Sequence, residues 1–428
     1  MNAKTTRPFP LIVILFCLII FTVPFLWALW GNDPQEISII EGRRLTRFST
    51  TDLDLRRTAG RLARGSLDGA RDAFLNFINT RSDQVLFENA ASDQFPLRLN
   101  FVRAVKAIER QVILMVYAPL KDPAIPTDMR SGFYIMRDAS AIIYGPVNYT
   151  DSSPQVIDER IANYQSLMAA YPAINFFAYH IDRLQYSPYD PLNDLFPEAD
   201  AGRSLAYFEQ YRPRDLAYAS MDLDSFEQHR KNFYNADHHW NIQGILLAYD
   251  DIYNLLAEKN PGISPQLEPG SVVTFPGAQF LGHTARITFY PIEGDEFAAV
   301  DLNLPPHQIL SFGQEVENYN LSERYLDGHY STAPYFYHFS EFFGGNQAFL
   351  EYVFENGSGR DLLVLGDSFK IPLHPMLASH YHHTYMINMP LYPDFDLSDF
   401  LDQHPVDDIL IIGGNNVLFL DPNWAIKL

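Results

Sequence analysis

Three side chains in this sequence sit where they could form an acid–base relay. Ser368 follows the apolar run Leu362-Leu363-Val364-Leu365 and then Gly366-Asp367, and it precedes residues that suit a helix. That order reads as a strand entering a tight turn and then a helix. The hydroxyl would then stand beyond the carboxyl end of a strand, where open parallel sheets bind ligands. Gly366 permits the turn, and the first N–H groups of the helix could face an oxyanion. Asp367 or Ser368 would also suit a helix N-cap, so Gly-Asp-Ser alone decides nothing.

A serine hydroxyl needs a base, and the base needs a group to orient it. Asn235-Ala236-Asp237-His238-His239-Trp240-Asn241 supplies both. Asp237 and His239 are two apart, so in an extended segment they leave on the same face. The carboxylate would hold one ring nitrogen of His239 while the other turns to Ser368. Asn241 is placed to cap a helix predicted from Ile242 to Ala257. As a metal site the run is poor, because adjacent histidines do not easily aim at one ion and no spaced third ligand follows.

Asn415, closing the strand-like Ile411-Ile412-Gly413-Gly414, could donate its amide to the oxyanion, as could Gly345-Asn346. A plain Gly-Asn turn explains either element equally well. Tyr234 and Trp240 flank the Asp-His element and could stack on sugar rings. His374, His380, His382 and His383 form a second group, mostly at a predicted surface turn, and read as structure. Nothing in the sequence calls for a cofactor. Cys17, the one cysteine, excludes an intrachain disulfide and a cysteine-based zinc site.

The elements that must position these residues are readable along the chain. Leu11–Trp30 is 20 residues without a charge, preceded by Lys4 and Arg7 and followed by Asp33 and Glu36. That length spans a bilayer, and the positive flank places the N-terminus in the cytoplasm and the body outside. We therefore expect a cytoplasmic tip and anchor over 1–31, a stalk or covering helices over 32–92, and a catalytic domain over 93–428. A helix is predicted from Leu97 to Ile108 and a buried strand from Val112 to Ala118. Residues 271–302 read as a small β-insertion. From Asp361 the order strand, helix, strand, helix, strand predicts parallel pairing with right-handed crossovers, an α/β fold with a parallel sheet flanked by helices.

The composition narrows the partners. With 31 Lys and Arg against 52 Asp and Glu, the formal charge is -21, which repels phosphate backbones and argues against nucleic acid. The same repulsion favours a neutral glycan over a strongly anionic polymer.

Asp237-His238-His239-Trp240 before a helix resembles the motif that names the DHHW family of bacterial surface proteins, relatives of the alginate O-acetyltransferases. Glu41-Gly42-Arg43-Arg44-Leu45, Asp93-Gln94-Phe95-Pro96-Leu97-Arg98, Phe342-Phe343-Gly344-Gly345-Asn346 and Gly366-Asp367-Ser368-Phe369 resemble further family segments in the same order. Together they cover roughly residues 36 to 420. The resemblance implies an SGNH-hydrolase-like domain with a Ser368–His239–Asp237 triad, its Asp-x-His element preceding the serine rather than following it. It further implies acyl transfer to a cell-surface or secreted polysaccharide in the periplasm or at the cell surface, beside a membrane-bound O-acyltransferase. Hydrolysis of a carbohydrate or lipid ester by the same residues, and a non-catalytic glycan-binding or assembly role on the same scaffold, are the alternatives.

Overall fold

The architecture is that of a computed structural model, which describes residues 98–421 except 269, 317–324 and 356–358, together with 37–38, 43–46 and isolated positions between 64 and 93. The expected anchor and most of the expected stalk lie outside these residues. No helix among the described residues is long and apolar enough to cross a membrane. The chain falls into two compact units, residues 1–111 and residues 112–428.

In the first unit, Asp93 is held from two sides. The Thr46 N–H donates to Asp93 Oδ2 at 2.8 Å, and Arg98 Nη2 lies 4.0 Å from Asp93 Oδ1. Helix α1, Arg98–Tyr117, then runs on into the second unit. It replaces the strand expected from Val112 to Ala118. A short apolar run does not distinguish strand from helix, and no glycine or proline interrupts the segment after Pro96. Of its residues only Ile113 is buried, whereas a core strand would be covered on both faces.

The second unit opens with a small antiparallel sheet, β1 (Ala124–Pro126), β2 (Phe133–Met136) and β3 (Ile142–Tyr144). The central sheet begins after α2 (Ser153–Ala170) with β4 (Asn175–His180), α3 (Arg203–Tyr211) and β5 (Ala217–Ser220). Helices α4 (Phe226–Asn232) and α5 (Ile242–Lys259) follow. Residues 271–302 form an antiparallel ribbon of β6 (Val272–Phe280) and β7 (Asp295–Val300) around α6 (His283–Thr288). The chain then returns to the sheet through β8 (His307–Ser311), β9 (Gln314–Glu315), α7 (His338–Phe342) and β10 (Phe349–Phe354). Last come β11 (Asp361–Gly366), α8 (His374–Ala378), β12 (His383–Asn388), α9 (Leu397–Gln403) and β13 (Asp408–Gly413).

The sheet has eight strands in the order β9-β8-β10-β12-β11-β13-β4-β5. From β12 to β5 all neighbours are parallel, as helix-bearing crossovers require. The expected parallel sheet is corrected at the other edge, where β10, β8 and β9 pair antiparallel. There β9 turns back on β8 through Phe312-Gly313, both at positive φ, a two-residue hairpin that can only give antiparallel pairing.

Side chains of β11 alternate between two cores. Leu362 and Val364 pack with Ile245, Tyr249, Ile252 and Leu256 of α5 on one face. Leu363 and Leu365 pack with Ile157, Ile161 and Tyr164 of α2 and Leu397 of α9 on the other. Burial on both faces explains why the strands are nearly unbroken apolar runs. It also fixes the carboxyl edge of β11, where the serine emerges.

Candidate active site

Ser368 stands two residues beyond β11. The helix expected directly after the serine begins instead as a 3-10 segment, Ser368–Leu373, and becomes regular only in α8. Pro372 and Pro375 remove the backbone donors that a regular helix would need. Asp367 takes the capping role, its Oδ1 accepting from the Phe369 N–H at 2.9 Å, so the serine hydroxyl is free for other work. Gly366 lies against the neighbouring strand, where an added Cβ would stand 2.5 Å from the Ile412 carbonyl oxygen.

The Asp-His element reaches this edge from the segment before α5. Asn241 caps that helix, its Oδ1 accepting from the N–H groups of Gln243 and Gly244. His239 Nε2 lies 2.8 Å from Ser368 Oγ, across 129 positions of sequence. Its Nδ1 lies 2.6 Å from Asp237 Oδ1, which also accepts the His239 backbone N–H at 2.8 Å. The His283 N–H donates to the other oxygen, Oδ2, at 2.5 Å. Phe339 stacks on the imidazole with centroids 4.4 Å apart, and Phe369 packs at 5.0 Å.

This is a continuous aspartate–histidine–serine chain of hydrogen bonds in the order that acyl transfer needs. Burial by itself would raise the Asp237 pKa. The neighbouring imidazoles of His238 and His239, the bond from His239 and the His283 N–H outweigh it and hold the carboxyl well below the usual carboxylate range. An ionised Asp237 selects the tautomer that carries the proton on Nδ1, leaving Nε2 to accept from Ser368.

The other expected site residues fare differently. Asn415 is buried with both polar ends engaged: Nδ2 donates to Ser204 Oγ at 3.1 Å and Oδ1 lies 2.9 Å from His180 Nε2. Gly345 and Asn346 follow α7, with Gly344 and Gly345 both in left-handed geometry that a side chain would oppose. Asn346 Oδ1 accepts from Asn388 Nδ2 at 3.4 Å, and Asn388 pairs in register with Gly366. Of the two Gly-Asn elements, this one therefore has its exposed asparagine at the rim beside the serine strand. Trp240 is fully buried, edge-on to Phe369 at 5.5 Å, and so does not present a stacking face. Tyr234 borders a cleft beside the relay but is buried as well, its ring against Phe280 at 4.6 Å, so it does not present an open stacking face either.

Asp237, His238 and His239 offer ligand atoms within 4.8 Å of one another. Holding an ion there would cost the relay, because His239 uses Nδ1 on Asp237 and Nε2 on Ser368. The second histidine group disperses. His380, expected at the surface, is buried between Tyr249 and Ser264 at 2.8 Å each, and His383 pairs with Glu351 at 2.6 Å. His374 is buried against Lys370, with Nζ 3.3 Å from Nε2.

Sequence reasoning missed Gly282, His283, Lys370 and Arg183. A Cβ at Gly282 would collide with the Asp237 carboxylate. No motif announces that contact, since it joins segments 45 positions apart.

No family model matches the sequence, and no curated protein matches it. Solved structures do. Bacillus cereus PatB1, in a structure with a sulfonyl adduct, superposes with a TM-score of 0.54 at 15% identity, over 69% of this chain and 99% of PatB1. The two chains share a fold. A DHHW family protein from Eubacterium siraeum gives a TM-score of 0.48 at 15% identity, over 72% of this chain and 95% of its own. The O-acetyltransferase domain of Pseudomonas putida AlgJ gives 0.37 at 11% identity, over 69% and 98%. The expected likeness to DHHW proteins and their O-acetyltransferase relatives is thus found among solved structures.

Proposed function

We propose that this chain is a membrane-anchored, extracytoplasmic serine O-acyltransferase that moves an acyl group, most simply acetyl, onto a cell-surface or secreted polysaccharide. The observation that carries the reading is the unbroken pair of hydrogen bonds from Asp237 through His239 to Ser368, 2.6 and 2.8 Å long. Its support in kind is the fold shared with PatB1 and the AlgJ neighbour named as an O-acetyltransferase domain.

The steps follow from the atoms in place. Ser368 Oγ attacks the acyl carbonyl as its proton passes to His239 Nε2. The tetrahedral adduct collapses, and His239 returns that proton to the departing group. An acyl-serine remains. A sugar hydroxyl then attacks the ester carbonyl while His239 takes its proton, and collapse hands the proton back to Ser368 Oγ. Asp237 stays ionised throughout and stabilises the imidazolium formed in each half. No cofactor enters. A membrane-bound O-acyltransferase is the partner that would deliver the acyl group across the membrane.

The test is to incubate the purified body with an acetyl donor and oligosaccharides and to analyse the products. Acetylated sugar supports transfer. Free acetate alone makes the protein an esterase with the same relay. Ser368→Ala and His239→Ala variants that leave both donor cleavage and the cellular phenotype unchanged would make the scaffold a non-catalytic, glycan-binding or assembly protein.

A further inference from the structure

The cleft beside the relay carries a cation that the steps above do not use. Arg183 lies three residues past β4, at the carboxyl edge of the sheet. Its guanidinium covers the ring of Phe369, the residue after Ser368, with Cζ 4.9 Å from the centroid. Its stem rests against Gly414, where an added Cβ would stand 2.8 Å from Arg183 Cγ, so the glycine turn after β13 provides the space it fills. The residue is half-buried, and its guanidinium makes no hydrogen bond or ion pair with any described residue. It opens onto a narrow cleft of about 40 Å³ lined also by Tyr144, Arg230, Tyr234, Asp237 and His238.

Two arginines thus face this cleft. Arg230 is steered by Asn235, whose Oδ1 accepts its Nε–H at 2.9 Å. The lining carboxylate, Asp237, is already taken by His239 and the His283 N–H. Burial, with the charge of Arg183 adding to it, holds the nearby His229 imidazole down to about 3. A guanidinium fixed by stacking but lacking an acceptor is ready to receive one, and its planar fork matches a carboxylate or phosphate.

We propose that Arg183 is a specificity-determining residue, binding a carboxylate or phosphate group carried by the glycan acceptor close to the hydroxyl that is acylated. The proposal rests on the acyl-transfer reading for its acceptor. It reverses the expectation of a neutral glycan drawn from the net charge of -21. Charges beyond about 10 Å are screened at ordinary ionic strength, whereas the arginine would act at contact.

The experiment compares acetylation of a neutral maltooligosaccharide, an oligogalacturonate and a phosphorylated oligosaccharide of equal length, with one neutral acetyl donor. Parent, Arg183→Lys and Arg183→Gln are assayed; glutamine keeps the stem against Gly414. The parent should prefer an anionic acceptor in kcat/KM, and Arg183→Gln should lower the anionic-to-neutral ratio roughly 10- to 100-fold, with Arg183→Lys between. The uronate and phosphate arms tell the two anions apart. An unchanged ratio in Arg183→Gln overturns the proposal, however far both rates fall. Calorimetric binding of the same oligosaccharides to Ser368→Ala, with and without Arg183→Gln, keeps the two readings separable. Loss of anion-selective binding on removing Arg183 sustains the subsite even if no turnover is found, and equal binding by both variants refutes it.

Discussion

At the residue scale, His239 is held by four groups: Asp237 at Nδ1, Ser368 at Nε2, Phe339 stacked on its face and Phe369 tilted against it. Groups that act as one relay do not contribute independently. Ser368→Ala and His239→Ala should each lower kcat on an acetyl ester by about 10³-fold or more, with the double variant within about tenfold of either single one. Multiplying losses in steady-state kinetics would mean that the two residues work apart. Lys370 offers a different test. Burial pushes its ammonium down to about 7, against the opposing pull of Asp367. Its unfolded value is near 10.4, so between about pH 7 and 10 the unfolded chain holds a proton that the fold lacks. Stability contributed at this position therefore rises with pH through that window and is flat below it. Lys370→Met should be more stable than the parent at pH 7, with the advantage shrinking toward pH 10. Parallel stability curves from denaturant titrations would contradict this. The relay itself was legible because its chemistry lies in two short runs, each with a helix-start signature. Arg183, Gly282 and His283 were not, because their roles come from packing between distant segments rather than from neighbours in sequence.

At the element scale, the relay depends on α6 delivering its first residues to Asp237. Gly282 precedes that helix, and the carboxylate occupies the space a methyl would need. Gly282→Ala should displace Asp237 and cut kcat on the order of 10²-fold, as small misplacements of catalytic groups do, while a thermal melt changes little. A drop in melting temperature with kcat per folded molecule intact would assign the glycine to stability alone. The parallel strands were legible from runs such as Leu362–Leu365 and Ile409–Ile412 because burial on both faces leaves no polar interruption. The antiparallel edge was not: in β10 the run Phe-Leu-Glu-Tyr-Val-Phe gives no sign of its partner, which the β8–β9 hairpin and the register with β12 decide. The strand expected at Val112 failed for the same reason, since α1 carries apolar residues that its own fold leaves exposed, among them Val112 and Met115.

At the scale of the whole molecule, the sheet separates the site from its anchor point. The relay lies at the carboxyl edge of β11, whereas Asp408, fully buried, ties the amino end together. Its Oδ1 accepts from Asn175 Nδ2 and Arg360 Nη2, and its Oδ2 from Asn260 Nδ2 and Tyr381 Oη, all at 2.8 Å. Asp408→Ala would leave three polar groups without their acceptor and take from the Arg360 guanidinium one of its two carboxylates, Asp407 remaining at 3.8 Å. We expect it to cost about 3–5 kcal/mol in chemical denaturation, yet to leave kcat per folded molecule near that of the parent. A loss below 1 kcal/mol would show that water replaces the carboxylate at little cost. The account as a whole stands on Ser368 being the atom that carries the acyl group. The most direct measurement is peptide-resolved mass spectrometry after rapid quenching of the protein with an activated acetyl ester, alongside labelling with a sulfonyl fluoride. The account predicts both modifications on Ser368, neither in Ser368→Ala, and competition between them. Acetyl found on another side chain, or full turnover by Ser368→Ala, would contradict it.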